Sequence, residues 1–187
     1  MNKNLPKAAL IGINNNMEGF IIKLDFISAE EEKDLLLLLE TEQKPKHAST
    51  RRNSVRRYGS KKPYNSNMVS ESVPEFFLPL QKKLVTEGYL NDIPDAVSVN
   101  EYLIGQGIEQ HIDSVASGPI ISILSLGSDA IMKFEQKEKS LSFDIPARSL
   151  IQLKGEARDK WTHGIEPVKN IRYSVVFRCS ADKDKKE

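Results

Sequence analysis

From Val97 to Cys179 the sequence breaks into short β runs, and their spacing limits the fold more than any other feature. The runs are Val97 to Ile104, Ile120 to Leu126, Ala130 to Gln136, Leu141 to Ile145, Ser149 to Lys154 and Ile171 to Cys179. Gly105, Gly107, Gly118-Pro119, Gly127 and Gly155 punctuate them, as turn residues do in an all-β sandwich or barrel. Two helical segments come first. Ser28 followed by Glu31 is a capping-box pattern, in which each side chain satisfies the other residue's backbone amide, and it opens a helix running to about Thr41. Pro74 to Gly88 reads as a second helix, with Pro79 in its first regular turn and Gly88 at its end. Phe20 to Phe26 reads as a strand. The expected fold is mainly β with N-terminal helices, a jelly-roll core over 97–180 within one domain spanning 19–180. Residues 1–18 read as a mobile arm and 181–187 as a charged tail.

Composition excludes several classes. The longest aliphatic run, Leu35 to Leu39, is far below the roughly 20 residues that span a bilayer, and the N-terminus lacks a basic-then-apolar signal pattern. An intracellular location, cytoplasmic or nuclear, is expected, with no membrane partner and a monomeric state. The single cysteine, Cys179, cannot close an internal disulfide. Charge is near balance but unevenly spread. Lys44, Lys46, Arg51, Arg52, Arg56, Arg57, Lys61 and Lys62 form an acid-free basic strip; subtracting these eight from 27 Lys and Arg leaves 19 against 26 Asp and Glu. Such strips are usually solvated loops, but on an acidic body this one also fits a located anionic partner. Tyr58-Gly59 and Pro63-Tyr64 interrupt it, so a hairpin or irregular loop is expected there.

The chemistry-bearing residues fall among the β runs. Residues two apart on a strand share a face, so His111-x-Asp113 aims an imidazole and a carboxylate at one point. His163 is the candidate third ligand, because two histidines and one carboxylate are the usual facial set for non-haem Fe(II). Arg172, Ser174, Val176 and Arg178 share a face by the same period. Two inward guanidinium groups call for an anion, and a dicarboxylate would supply it. Asn100 and Tyr102, also two apart, can hydrogen-bond the same ligand. Singly, each feature has a plainer reading, a chance His-x-Asp or arginines paired with nearby acids; it is the conjunction that points to a site.

In that order and on a β-rich chain, Asn100-x-Tyr102, His111-x-Asp113, His163 and Arg172 to Arg178 resemble the AlkB family of Fe(II)- and 2-oxoglutarate-dependent dioxygenases. The resemblance runs from about Gly19 to Arg178 and includes Gly105-Gln106-Gly107-Ile108, Ser125-Leu126-Gly127-Ser128 and Gly155-Glu156-Ala157-Arg158 leading into Trp161-Thr162-His163-Gly164-Ile165. These last stretches, with Arg51-Arg52 and Arg56-Arg57-Tyr58-Gly59, are most similar to the branch that hydroxylates modified wobble uridines in tRNA. The RNA-binding and methyltransferase domains that accompany that branch in larger proteins are missing from these 187 residues. Ser174 and Val176 stand where the family often has Asn and Thr.

The resemblance implies a double-stranded β-helix, cupin-like core. It implies Fe(II) on His111, Asp113 and His163, with 2-oxoglutarate anchored by Arg172, Arg178, Asn100, Tyr102 and Ser174, and dioxygen as the second oxidant. It places nucleotide recognition over 44–66, so Arg51, Arg52, Arg56 and Arg57 become candidate phosphate contacts and Tyr58 or Tyr64 a candidate base stacker. The expected reaction is oxidative demethylation of N-alkylated bases in single-stranded or base-flipped DNA or RNA. Hydroxylation of a modified tRNA wobble base, or of a protein or lipid, is the alternative, and a non-catalytic nucleic-acid-binding module lies furthest away.

Overall fold

The computed structural model describes residues 17–42, 53–59 and 71–180. The arm 1–16, the tail 181–187 and the parts of the basic strip holding Arg51, Arg52 and Tyr64 lie outside these residues. Among the described residues ten strands form two antiparallel sheets. The larger contains β1 (Phe20–Lys23), β2 (Ser54–Gly59), β3 (Ala96–Tyr102), β5 (Ile120–Leu126), β8 (Leu150–Lys154) and β10 (Arg172–Arg178), in the order β1-β8-β5-β10-β3-β2. The smaller contains β4 (Ile108–His111), β6 (Ala130–Gln136), β7 (Lys139–Ile145) and β9 (Thr162–Ile165), in the order β4-β9-β6-β7. Helices α1 (Ala29–Thr41) and α2 (Leu78–Thr86), the short α3 (Gly155–Asp159) and two 3-10 turns are the other elements among the described residues. This is the jelly-roll arrangement, with α1 and α2 on one side.

Two apolar layers follow from strand alternation. Phe20, Tyr102, Ile123, Met132, Phe134, Ile151, Ile165 and Val176 pack between the sheets. Val97, Val99, Leu124, Val175 and Phe177, from the other face of the larger sheet, pack with Leu35, Leu39, Phe77 and Leu84 of the helical layer. Because the larger sheet is covered on both faces, β5 reads as the near-continuous run Ile-Ile-Ser-Ile-Leu-Ser-Leu. The smaller sheet has a solvent face, and β6 alternates buried Ala130, Met132 and Phe134 with more exposed Ile131 and Lys133.

The capping box forms as expected: Glu31 N donates to Ser28 Oγ, and Ser28 N to Glu31 Oε2 at 2.7 Å. Glu32, 8% exposed, accepts from Gly127 N and Arg148, tying α1 to the sheet. Three short elements are not evident in the sequence: β4, β9 and α3, each of four or five residues, too short to show a period. Part of the basic strip is also more regular than a loop, since Ser54–Gly59 pairs along β3 from Ser54↔Glu101 to Gly59↔Ala96.

Candidate metal centre and cosubstrate pocket

Strands β4 and β9 bring the two histidines together. Their register pairs Ile108 with Ile165 but His111 with His163, so β4 carries a bulge that re-aims its end. The backbones approach closely here: a Cβ on Gly107 would stand 2.4 Å from the Ile165 carbonyl oxygen, and one on Gly164 2.7 Å from that of Ile108. Glycine at both positions lets the imidazole rings lie with centroids 4.5 Å apart. Asp113 departs from the expected geometry. β4 stops at His111, so Asp113 stands beyond the ladder rather than on the same strand face. The carboxylate still converges on the histidines, its Oδ2 3.4 Å from His163 Nε2. One ligand atom from each of His111, Asp113 and His163 lies within 4.8 Å of the others.

The surroundings prepare these groups for a cation. His111 Nδ1 lies 2.9 Å from the Glu109 carbonyl oxygen, which can only accept, so Nδ1 carries the proton and the Nε2 lone pair is left for a metal. Burial, and then the neighbouring His163, push the His111 imidazole below its ordinary value and favour its neutral form. Burial alone would raise the Asp113 carboxyl. The hydrogen bond from His163 and the charge of Arg178 outweigh it and hold the group well below the usual carboxylate range.

The pocket beside this centre is lined by Asn100, Tyr102, Arg172, Ser174 and Arg178 on the larger sheet and by Ile108, Met132 and Ile165 on the smaller. The alternation expected along β10 is present: Val176 faces the inter-sheet core, whereas Tyr173, Val175 and Phe177 face the helices. Arg172 pairs with Tyr102 and Ser174 with Asn100 across β10 and β3. Arg178 Nη1 donates to Ser98 Oγ at 2.9 Å, and Nη2 lies 3.4 Å from Asp113 Oδ1. Asn100 donates to Ser174 Oγ and accepts from Asn53 Nδ2 at 2.8 Å. Arg172 is 1% exposed; Nη2 meets Ser125 Oγ at 3.3 Å and the guanidinium lies 5.0 Å from the Tyr102 ring centre. Its Nε and Nη1 have no hydrogen-bond partner. A buried guanidinium with two unsatisfied donors, beside two histidines and a carboxylate, fits an anionic cosubstrate next to a divalent metal.

Two candidate substrate contacts do not face this pocket. Arg56, 8% exposed, donates from Nη1 to the Leu39 carbonyl of α1, and Tyr58, 5% exposed, packs near Phe77 with its hydroxyl 3.4 Å from Glu42. Both sit on the helix-covered face of β2, where a phosphate or a base has no access. Arg57 is on the opposite face, across from Ser98, and is exposed. Asn53 and Ser98 escaped the sequence reading, and Ser125 entered it only within the family-like stretch Ser125-Leu126-Gly127-Ser128. Ser98 could have been found, since it stands two residues before Asn100 on the same strand.

A jelly-roll that gathers two histidines and a carboxylate beside a buried arginine defines a non-haem iron oxygenase. The 2OG-Fe(II) oxygenase superfamily profile matches residues 23–183, and the chain belongs to that family. Its cofactors are Fe(II), 2-oxoglutarate and dioxygen, and it is an oxidoreductase. The chain is 36% identical over 183 residues to the mouse protein named tRNA (carboxymethyluridine(34)-5-O)-methyltransferase ALKBH8, covering 90% of this chain and 27% of that protein. It is 27% identical to the zebrafish protein named Probable RNA/DNA demethylase ALKBH6, covering 77% of this chain and 68% of that one. The structure of OsALKBH1 matches with a TM-score of 0.63 at 16% identity, covering 86% of this chain and 97% of that one, a likeness of fold. The AlkB resemblance therefore holds, although the chain spans only about a quarter of the length of the ALKBH8 relatives. No helix among the described residues is long and apolar enough to cross a membrane.

Proposed function

We propose that this chain uses Fe(II), 2-oxoglutarate and dioxygen to oxidise a carbon attached to a nucleobase. The buried Arg172 guanidinium supports the cosubstrate assignment, because its Nε and Nη1 have no hydrogen-bond partner and a carboxylate can accept from both. His111, Asp113 and His163 hold the iron. When bound, iron, 2-oxoglutarate and dioxygen supply the oxidising power: the cosubstrate loses carbon dioxide to become succinate, and one oxygen atom goes to the substrate carbon.

The protein's own residues do the remaining work. Glu109 fixes the His111 tautomer through its carbonyl. His163 and then Arg178 keep the Asp113 carboxylate charged. Arg172 would hold a carboxylate of 2-oxoglutarate, with Tyr102 against the guanidinium and Ser125 accepting from Nη2. Asn100 and Ser174, already bonded to each other, present the polar wall between the two arginines. Ile108, Ile123, Met132, Ile165 and Val176 make the rest of the lining apolar and limit water near the reacting groups. Arg57, exposed on the face of β2 that pairs opposite Ser98, is a candidate phosphate contact.

On an N-methyl group, hydroxylation gives a product that collapses to formaldehyde and the unmethylated base. On a modified wobble uridine of tRNA the hydroxyl group stays, and the 36% identity to a protein named for a modified uridine 34 of tRNA supports a tRNA substrate. Mass spectrometry of nucleosides, with formaldehyde and succinate assays, separates the two after incubation with methylated DNA, methylated RNA and total tRNA. The expected result is succinate formation coupled to a changed nucleoside and abolished in His111→Ala and Asp113→Ala. Succinate release without any nucleoside change would move the substrate to a protein or lipid.

A further inference from the structure

We propose that Arg158 is a positioning residue for Asp113, acting through the backbone of the turn that follows the carboxylate. The inference rests on the metal-centre reading above. Because β4 ends at His111, no strand ladder holds the backbone at Asp113. The chain next makes the 3-10 turn Val115–Ser117, in which Ser114 Oγ accepts from Ala116 N, and leaves it at Gly118 with φ 77°. Arg158 lies on α3 and reaches both ends of this turn. Its Nη2 donates to the Ser114 carbonyl at 2.8 Å and its Nε to the Gly118 carbonyl at 2.7 Å.

The clamp is buried and backed on each side. The Arg158 side chain is 3% exposed, and Nη1 pairs at 2.6 Å with Asp159, which is 57% exposed. α3 is itself anchored, with Ala157 N donating to the Glu18 carbonyl at 3.0 Å. On the far side of the turn a Cβ at Gly118 would stand 2.1 Å from the Cys179 carbonyl oxygen, so the turn cannot shift that way. One planar guanidinium therefore fixes two carbonyls of a single turn, and the first belongs to the residue directly after Asp113. Arg158 does not line the pocket, so its influence on the centre passes through this backbone. A lysine ammonium is a point donor on a flexible stem and cannot reproduce the two-pronged grip.

Loss of an outer partner that orients a ligand typically weakens metal binding about 10- to 100-fold. The test is titration of the metal-free protein with Co(II), read by the visible absorption of the bound ion, with thermal unfolding of the same metal-free samples in parallel. Arg158→Lys is expected to unfold cooperatively, to bind Co(II) about tenfold more weakly than wild type and to show an altered absorption band. Arg158→Gln is expected to lose more, up to about 100-fold. Asp159→Asn keeps both carbonyl contacts and is expected to match wild type. A folded Arg158→Lys protein with wild-type affinity and band shape would overturn the proposal, even if its melting temperature fell, because the arginine would then serve stability alone. The same holds if Asp159→Asn weakens Co(II) binding as much as Arg158→Lys. A different failure, wild-type protein that takes up no Co(II) or takes it up equally after His111→Ala, would overturn the metal-centre reading on which this inference stands.

Discussion

Arg178 on β10 holds its Nη2 3.4 Å from Oδ1 of Asp113, a residue 65 positions earlier in the chain, so the last strand charges the carboxylate that the loop after β4 presents. Removing this guanidinium leaves burial less opposed and raises the Asp113 carboxyl. Protons then compete with the metal at higher pH. Arg178 also lowers the His111 imidazole, so in Arg178→Gln the pH at which Co(II) is lost on acidification is expected to rise. Binding titrations at a series of pH values check this, and an unmoved midpoint would remove Arg178 from the electrostatics of the centre.

Arg172 makes the opposite kind of test, because its charge is buried without a matching acid. Arg172→Met is expected to weaken 2-oxoglutarate binding roughly ten- to a hundredfold, the loss of a charge-assisted contact of about 1.5 to 3 kcal/mol, while Co(II) still binds. The metal-free variant is expected to be no less stable than wild type, since an unpaired buried cation has been replaced by an apolar chain. Cosubstrate titration and thermal melts decide the matter together; unchanged affinity with a lowered melting temperature would make Arg172 a structural residue.

The two neighbouring arginines of β2 are expected to separate cleanly. Arg56→Ala loses a buried hydrogen bond to the Leu39 carbonyl and is expected to cost about 1 to 3 kcal/mol of stability, with oligonucleotide affinity unchanged. Arg57→Gln, at an exposed position, is expected to cost less stability than Arg56→Ala. It should also flatten the salt dependence of single-stranded oligonucleotide binding by about 0.7 in log-log slope, the share of one phosphate contact. Denaturant melts and salt titrations of both variants check the pair, and an unaltered slope in Arg57→Gln would detach β2 from substrate binding.

The depressed His111 gives a pH dependence to the metal-free protein. In the unfolded chain this imidazole takes up protons below about pH 6.5, whereas in the folded protein it resists them to lower pH. The unfolded state therefore binds more protons in that window. The contribution of His111 is fully present above about pH 6.5 and is lost as pH falls toward the folded value. The melting temperature of metal-free protein is expected to drop between pH 7 and 5, and His111→Gln is expected to lessen the drop.

Periodicity and local hydrogen bonding carried the sequence reading where it held. The face shared by Arg172, Ser174, Val176 and Arg178 follows from a two-residue repeat that any strand obeys, and the Ser28–Glu31 box closes within one turn. The same rule placed His111 and Asp113 together for an incomplete reason. It assumed a strand through both residues, whereas β4 stops at His111 and the bulge in β4 governs how that histidine is aimed.

What the sequence determined by itself was the longer strands, the face shared by Arg172 and Arg178, the Ser28–Glu31 cap of α1 and the pairing of His111 with Asp113, because each is written in neighbours a few positions apart. The tertiary structure alone decided which partners those residues meet. Arg56 and Arg57 are adjacent and chemically identical, yet α1 covers one face of β2, so Arg56 is buried against Leu39 while Arg57 stays exposed. His111 meets His163 because β4 lies beside β9, and Arg158 meets Ser114 because α3 lies against the loop beyond Asp113. Such meetings depend on which sheet edges and faces become neighbours, and that is set by the packing of the whole chain, which no local pattern encodes.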